Sequence, residues 1–301
     1  MARFLSFVLL FAASSAALAA APVDIDTAGQ IYLAAGMREQ VGASLDAMPA
    51  KLKDLFTSGS SNKLSDKQLE AVADAAKRGF RIDVFEPSAL AAFASNLDPD
   101  AAAKALAFLA TPTGKRMVQD DVALARLDES TIDAISSGKL ATPMTAERAA
   151  LFKRLEAASR ATESAATVYL TIGRSLAVGK ALGYGLNLDE AEQQVAKTES
   201  AAPPAELQRS LEVPLGRYLA YGYRNLSDAD LRHMLAFLDS PAGTTYVKAS
   251  IAALSAGFRS MGRRCGERIG ESWRELARAG ALDESGAAPA AEAAPAAPPP
   301  R

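Results

Sequence analysis

The sequence predicts an all-α protein of packed antiparallel helices, and three features lead to this expectation. The 301 residues are 49% hydrophobic but only 6% aromatic, and alanine supplies much of the apolar content, which favours helix over sheet. Apolar residues recur at helical spacing, as in Leu231, Leu235 and Leu238. Helix-capping residues stand before several of these stretches, as at Asp98-Pro99.

The composition excludes several classes of protein. With 33 basic and 35 acidic residues, the chain has a net charge of -2 and no excess of positive charge for nucleic acid. One cysteine cannot form a disulfide framework, and one histidine with one cysteine cannot build the usual zinc cages. We therefore expect no nucleic-acid partner, no metal and no cofactor.

Residues 1–19 have the pattern of a secretory signal peptide. Arg3 supplies a positive charge, residues 4–13 form an apolar run, and Ala17-Leu18-Ala19 places small residues at a cleavage position. The run is too short to cross ~30 Å of hydrocarbon as a helix. We expect an exported chain with no transmembrane segment after cleavage, located in the periplasm if the source is a Gram-negative bacterium.

Residues 283–301 form the opposite end of the chain and consist mainly of alanine and proline. Such a segment has little to bury, and proline interrupts helix, so the sequence predicts a disordered tail. Two interpretations stay open, a spacer that reaches towards the cell wall or a partner, and an ordinary disordered terminus.

The chain between these ends aligns with itself at an offset of 129 positions, which carries Asn96 onto Asn225. The same offset pairs residues 106–109 with 235–238, which read Leu-Ala-Phe-Leu in both places. A proline and a glycine recur inside the matched block, so the sequence predicts an internal duplication. The two predicted helical units are residues 24–139 and residues 140–280.

Each predicted unit contains a tight corner between two helices. A hydroxyl side chain caps the outgoing helix, and the following proline occupies its first position. The glycine three residues after the cap has no Cβ, so the two helices can begin and end close together. The residues of these corners are Thr111, Pro112, Gly114, Ser240, Pro241 and Gly243.

The corner block resembles the hallmark F-x-x-(S/T)-P-x-G of a domain-of-unknown-function family in exported bacterial proteins. Residues 108–114 and 237–243 carry it here, and residues 31–40 are similar to the opening helix of that domain. The usual member has one copy, whereas this chain looks like two. The resemblance implies a small all-helical domain behind a signal peptide and brings no activity, cofactor or catalytic residue.

Caps, breakers and periodicity together predict ten helices, and prolines 49, 87 and 214 are expected to kink or end helices. Ser65 and Gln68 have the spacing of a capping box. The predicted helices lie near residues 26–57, 65–80, 84–96, 99–110, 112–136, 143–183, 188–199, 204–224, 228–239 and 241–278.

Few residues offer chemistry. His233 lies on the polar side of its predicted helix and has no second histidine to act with. The carboxylate pairs Asp120-Asp121 and Asp128-Glu129 are expected on solvated helix surfaces, but a hydrolase that uses carboxylates alone stays open as an alternative.

Cys265 lies on the apolar stripe of the last helix, which predicts a buried side chain. Two other interpretations stay open, a reactive thiolate beside nearby arginines and a disulfide-linked homodimer. Gly262, Gly266 and Gly270 follow one another at four-residue spacing on the same helix, which indicates the close approach of another helix or a loose helix end.

These observations lead to two hypotheses of function. The first is an exported, non-enzymatic protein that binds an envelope protein or an apolar ligand through surfaces between its helical units. Tyr218, Tyr221 and Tyr223 are candidates to line such a groove, although core packing is the simpler interpretation. The second is a carboxylate-based hydrolase that acts on an envelope substrate.

Overall fold

The computed structural model describes residues 22–59, 64–197 and 205–280, and within these ranges it contains fourteen α-helices and no strand. The all-α prediction is confirmed. The first half of the chain, up to residue 139, contains α1 (Ile25–Ala34), α2 (Met37–Leu45), α3 (Met48–Gly59), α4 (Asp66–Gly79), α5 (Ile82–Asn96), α6 (Pro99–Ala110), α7 (Pro112–Ala125) and α8 (Glu129–Ser136).

The second half, residues 140–280, contains six helices. They are α9 (Ala146–Ser159), α10 (Ala161–Gly183), α11 (Leu188–Ala196), α12 (Ala205–Gly222), α13 (Asp228–Leu238) and α14 (Pro241–Arg278). The predicted signal peptide and the predicted tail lie outside the described residues. No helix in the described ranges is both long and apolar enough to cross a bilayer.

Three of the predicted long helices are divided in the structure. The predicted helix 26–57 is α1, α2 and α3, with Gly36 at φ 63° in the left-handed region between the first two. The predicted helix 112–136 is α7 and α8, because Asp128 caps a new helix. The predicted helix 143–183 is α9 and α10, which meet at Arg160 with φ 53°.

The predicted capping box is present, whereas the prolines occupy different positions in their helices. The capping box of Ser65 and Gln68 opens α4 as predicted, and both of its reciprocal hydrogen bonds are present. Pro49 lies in the first turn of α3. Pro87 and Pro214 lie inside α5 and α12, so of the two expected effects, a kink or an end, neither proline ends its helix.

The two corners have the same geometry. The Thr111 hydroxyl donates to the Phe108 carbonyl oxygen at 2.6 Å and accepts from the Gly114 amide at 3.0 Å. The Ser240 hydroxyl makes the same two bonds at the same distances, to the carbonyl oxygen of Phe237 and from the amide of Gly243. In each corner, Pro112 or Pro241 occupies the first position of the outgoing helix.

The helices that leave the two corners pack on opposite halves. Helix α14 packs on α5 and α6 of the first half, while α7 packs on α12 and α13 of the second half. The corner phenylalanines, Phe108 and Phe237, stack face to face with ring centroids 4.4 Å apart. Residues of both halves form one hydrophobic core, so the core does not divide at the boundary between residues 139 and 140. The duplication itself stays a prediction.

Helix α14 is 38 residues long and makes the most intimate contact of the fold with α10. Gly262, Gly266 and Gly270 face α10, as the glycine spacing indicated. A Cβ added at Gly266 would lie 2.1 Å from the Leu176 carbonyl oxygen, and one at Gly179 would lie 2.0 Å from the Arg263 carbonyl oxygen. The backbones of α10 and α14 are therefore in direct contact.

We expect Gly243→Ala to lower the free energy of unfolding by about 1–3 kcal/mol, the usual range for overpacking. The new Cβ would lie 1.9 Å from the Phe237 carbonyl oxygen. Chemical denaturation measures the effect. The control is Gly216→Ala in α12, whose Cβ meets no atom within 4 Å and which gains up to ~1 kcal/mol of helix preference. Equal stabilities of the two variants would contradict the corner geometry.

Candidate functional site

The candidate site lies where α7 of the first half packs on α12 of the second half, with Tyr246 of α14 nearby. Asp121 projects from α7 and accepts a hydrogen bond from the hydroxyl of Tyr223, which directly follows α12. The Tyr218 hydroxyl donates to the Leu124 carbonyl oxygen at 2.8 Å. Tyr246 of α14 also lies close enough to interact electrostatically with Asp121. We call Asp121, Tyr218, Tyr223 and Tyr246 the Asp121 cluster.

The environment of Asp121 favours its neutral form. Burial raises the pKa of Asp121 from its ordinary value of 3.8 to about 7. The Tyr223 hydroxyl opposes this shift by donating to the carboxylate, whereas the charge of Asp120 adds to it. Tyr223 and Tyr246 are buried, which raises the pKa of both phenols. Asp121 is therefore a carboxyl group that changes its charge near neutral pH.

Asp120 has a different environment from its neighbour. It is partly buried, which raises its pKa, but Arg224 and Arg116 act in the opposite direction. Two adjacent carboxyls in unlike environments are one way to build an acid–base pair, so this is the part of the structure that resembles an enzyme site most. The expectation that Asp120 and Asp121 are simply solvated is wrong.

The three tyrosines proposed to line a groove all make contacts within the protein. Tyr223 and Tyr218 hold α12 against α7 through the bonds described above. The guanidinium carbon of Arg224 lies 3.9 Å from the centroid of the Tyr221 ring. These contacts correspond to the simpler interpretation, in which the tyrosines pack the junction of the two halves.

Asp128, the next candidate carboxylate, has a structural role. It caps α8 by accepting from the Thr131 amide at 2.9 Å, and it also accepts from the hydroxyls of Ser130 and Thr131. These hydrogen bonds, with the Ser130 hydroxyl first, lower the pKa of Asp128 to about 2. The adjacent Glu129 is exposed in the first turn of that helix.

Cys265 is fully buried, as predicted from its place on the apolar stripe. Its side chain faces Gly79 of α4, where an added Cβ would lie 2.6 Å from the cysteine Cβ. Burial raises the pKa of the thiol to about 12, which is the opposite of a reactive thiolate. A disulfide to a second chain would require this part of the core to open.

His233 is exposed on α13, in agreement with its predicted place on a polar face. Its ring lies nearly perpendicular to that of Phe108, with centroids 5.7 Å apart. No group of three or more histidine, cysteine, aspartate or glutamate side chains in the described ranges is arranged to hold a metal. An open concavity of about 460 Å³ lies between α2 and the end of α7, lined by Glu39, Ala43, Asp46 and Arg126.

Iodoacetamide tests the burial of Cys265. We expect no modification of the folded protein at pH 8 and complete modification in denaturant, because the thiol is inaccessible and protonated while the core is closed. Intact-mass measurement counts the adducts. Rapid modification of the folded chain, or a dimer that reductant converts to monomer, would contradict the buried assignment.

Comparison with known proteins finds no relative of this chain. The chain matches no protein-family model, and neither a curated protein nor a solved structure is significantly similar to it.

Proposed function

We propose that this chain is an exported, non-enzymatic helical protein that binds a protein partner in the cell envelope, in the periplasm if the source is Gram-negative. The signal-like pattern of residues 1–19 supports export. The recurring corner, whose two copies have the same hydrogen bonds, supports our proposal that the chain contains two copies of the exported domain that it resembles.

The proposal of a protein partner rests on one observation, the exposed apolar side chains on the outer face of α1. Ile25 is 51% exposed and Leu33 is 54% exposed. They are eight residues apart, which places them on the same side of the helix about 12 Å from each other. Gly29 lies between them, and a Cβ at its position would meet no atom within 4 Å. We call Ile25, Gly29 and Leu33 the α1 face.

The α1 face is held in a fixed position. The opposite side of α1 is buried through Ala28, Ile31 and Tyr32. The helix packs on α5 and α6, and Asp24 caps it by accepting from the Thr27 amide at 2.7 Å. A preformed face loses little conformational entropy on binding. Two aliphatic side chains on either side of a glycine fit an apolar helix that places a side chain over Gly29.

Site-specific photo-crosslinking in living cells tests the proposal. A photoreactive amino acid at position 33 is expected to give one adduct of defined mass, and Ile25→Glu is expected to abolish it by placing a charge on the α1 face. The matched control is position 213 in α12, because Val213 is 57% exposed and lies on another helix. The mass of the purified chain shows whether residues 1–19 are removed.

The pattern of crosslinked adducts can also contradict the proposal. No adduct from position 33, or the same adducts from positions 33 and 213, would remove the α1 face as a binding surface. An adduct that persists in the Ile25→Glu variant would show contact without apolar recognition.

The second candidate function is a carboxylate-based hydrolase, which is favoured by the raised pKa of Asp121 beside Asp120. We place the hydrolase second because the Asp121 carboxyl already accepts a hydrogen bond from the Tyr223 hydroxyl. The test is whether the protein releases soluble fragments from isolated envelope material. Release by the wild type but not by Asp121→Asn would favour the hydrolase over the binding protein.

A further inference from the structure

We propose that Asp121 is a pH-sensitive contact between the two halves of the protein. When its carboxyl is neutral, α7 lies firmly against α12. When the carboxyl is charged, the contact between the last two turns of α7 and the second half weakens. This inference does not depend on the proposed binding function.

The geometry links α7 to the end of α12 by a side-chain hydrogen bond, and a phenol of α14 lies nearby. Asp121 on α7 is bonded to Tyr223 at the end of α12, and Tyr246 approaches from α14. One turn beyond Asp121, the buried side chain of Leu124 fills the space that a Cβ at Gly222 would need, with only 2.1 Å between them. A change at Asp121 therefore acts on the place where α7 and α12 pack most closely.

The described groups that interact with Asp121 include no cationic side chain. Asp120 adds a like charge from the same helix, and Tyr218, Tyr223 and Tyr246 present phenols from α12 and α14. Arg116 and Arg224 act on Asp120 instead. Among the residues that the structure describes, the Tyr223 hydroxyl is the group that stabilises a charged carboxyl in this position.

Helix α6 joins α7 at the Thr111 corner, and its Lys104 and Asp100 pair with each other at 2.7 Å. Two other helices that pack on α7 meet it elsewhere. Helix α13 presents Asp230, which accepts from Thr113 at 2.8 Å and also pairs with Arg116 in the first turns of α7. Helix α2 meets α7 through Gly36, where an added Cβ would lie 2.8 Å from a methyl group of Val118. Neither contact supplies a counter-charge to Asp121.

The direction of the effect follows from the protonation states. Asp121 has its ordinary pKa of 3.8 in the unfolded chain and a pKa of about 7 in the folded protein. Between these values the folded protein holds a proton that the unfolded chain has released. The stabilisation is complete below pH 3.8 and is lost as the pH rises through about 7.

Amide hydrogen exchange between pH 5 and 8.5, corrected for the intrinsic rates, tests the proposal on the full chain. In the wild type, protection of residues 118–125 is expected to fall in a step that begins below pH 5 and levels off at about pH 7, where both the closed and the open states have lost the proton. In Asp121→Asn, whose side chain has the same shape and no titration, that step is expected to disappear. Protection of α6 serves as the internal reference.

Two further variants keep the proposal falsifiable if Asp121→Asn folds poorly. Asp120→Asn removes the like charge, so the pH at which protection levels off is expected to shift to a lower value. Tyr223→Phe removes the hydroxyl that stabilises the charged carboxyl, so the pH at which protection levels off is expected to shift to a higher value. A wild type without a step, a step that survives in Asp121→Asn, or shifts in the opposite directions would each overturn the proposal.

Discussion

The direct contact between the backbones of α10 and α14 is the interaction on which the rest of the structure depends. A Cβ at Gly183 would lie 2.2 Å from the Glu267 carbonyl oxygen, and one at Gly270 would lie 2.3 Å from the Lys180 carbonyl oxygen. Larger residues would therefore separate the two helices. Since the same helix α14 also packs on α4, α5 and α6, its position against α10 sets how the second half meets the first.

This arrangement explains where the chemistry of the protein lies. Helix α14 carries Cys265 into the core against α4 and brings Tyr246 to the junction with α7. Because α7 packs in turn on α12 and α13, Asp121 is half-buried beside the second half and bonded to its Tyr223. Desolvation and the like charge of Asp120, rather than a pocket, therefore distinguish Asp121 from the other carboxylates, while the α1 face lies on a separate surface.

Local signals in the sequence were sufficient for part of the fold. The helix predicted at 241–278 is α14, because Ser240 and Pro241 define its start by a cap and a fixed φ angle. The break at Arg160 has no such signal, since a non-glycine residue there adopts a left-handed conformation. The Asp121 cluster depends on tertiary packing, and the offset of 129 pairs Asp121 with Ser250, so the repeat did not indicate it.

The most direct test of this account is the stability of Gly266→Ala compared with Gly42→Ala by chemical denaturation. The new Cβ would lie 2.1 Å from the Leu176 carbonyl oxygen in the first variant and would meet no atom within 4 Å in the second. The account predicts a loss of about 1–3 kcal/mol for Gly266→Ala and no loss for Gly42→Ala. Equal stability of the two variants would show that α10 and α14 are not in backbone contact.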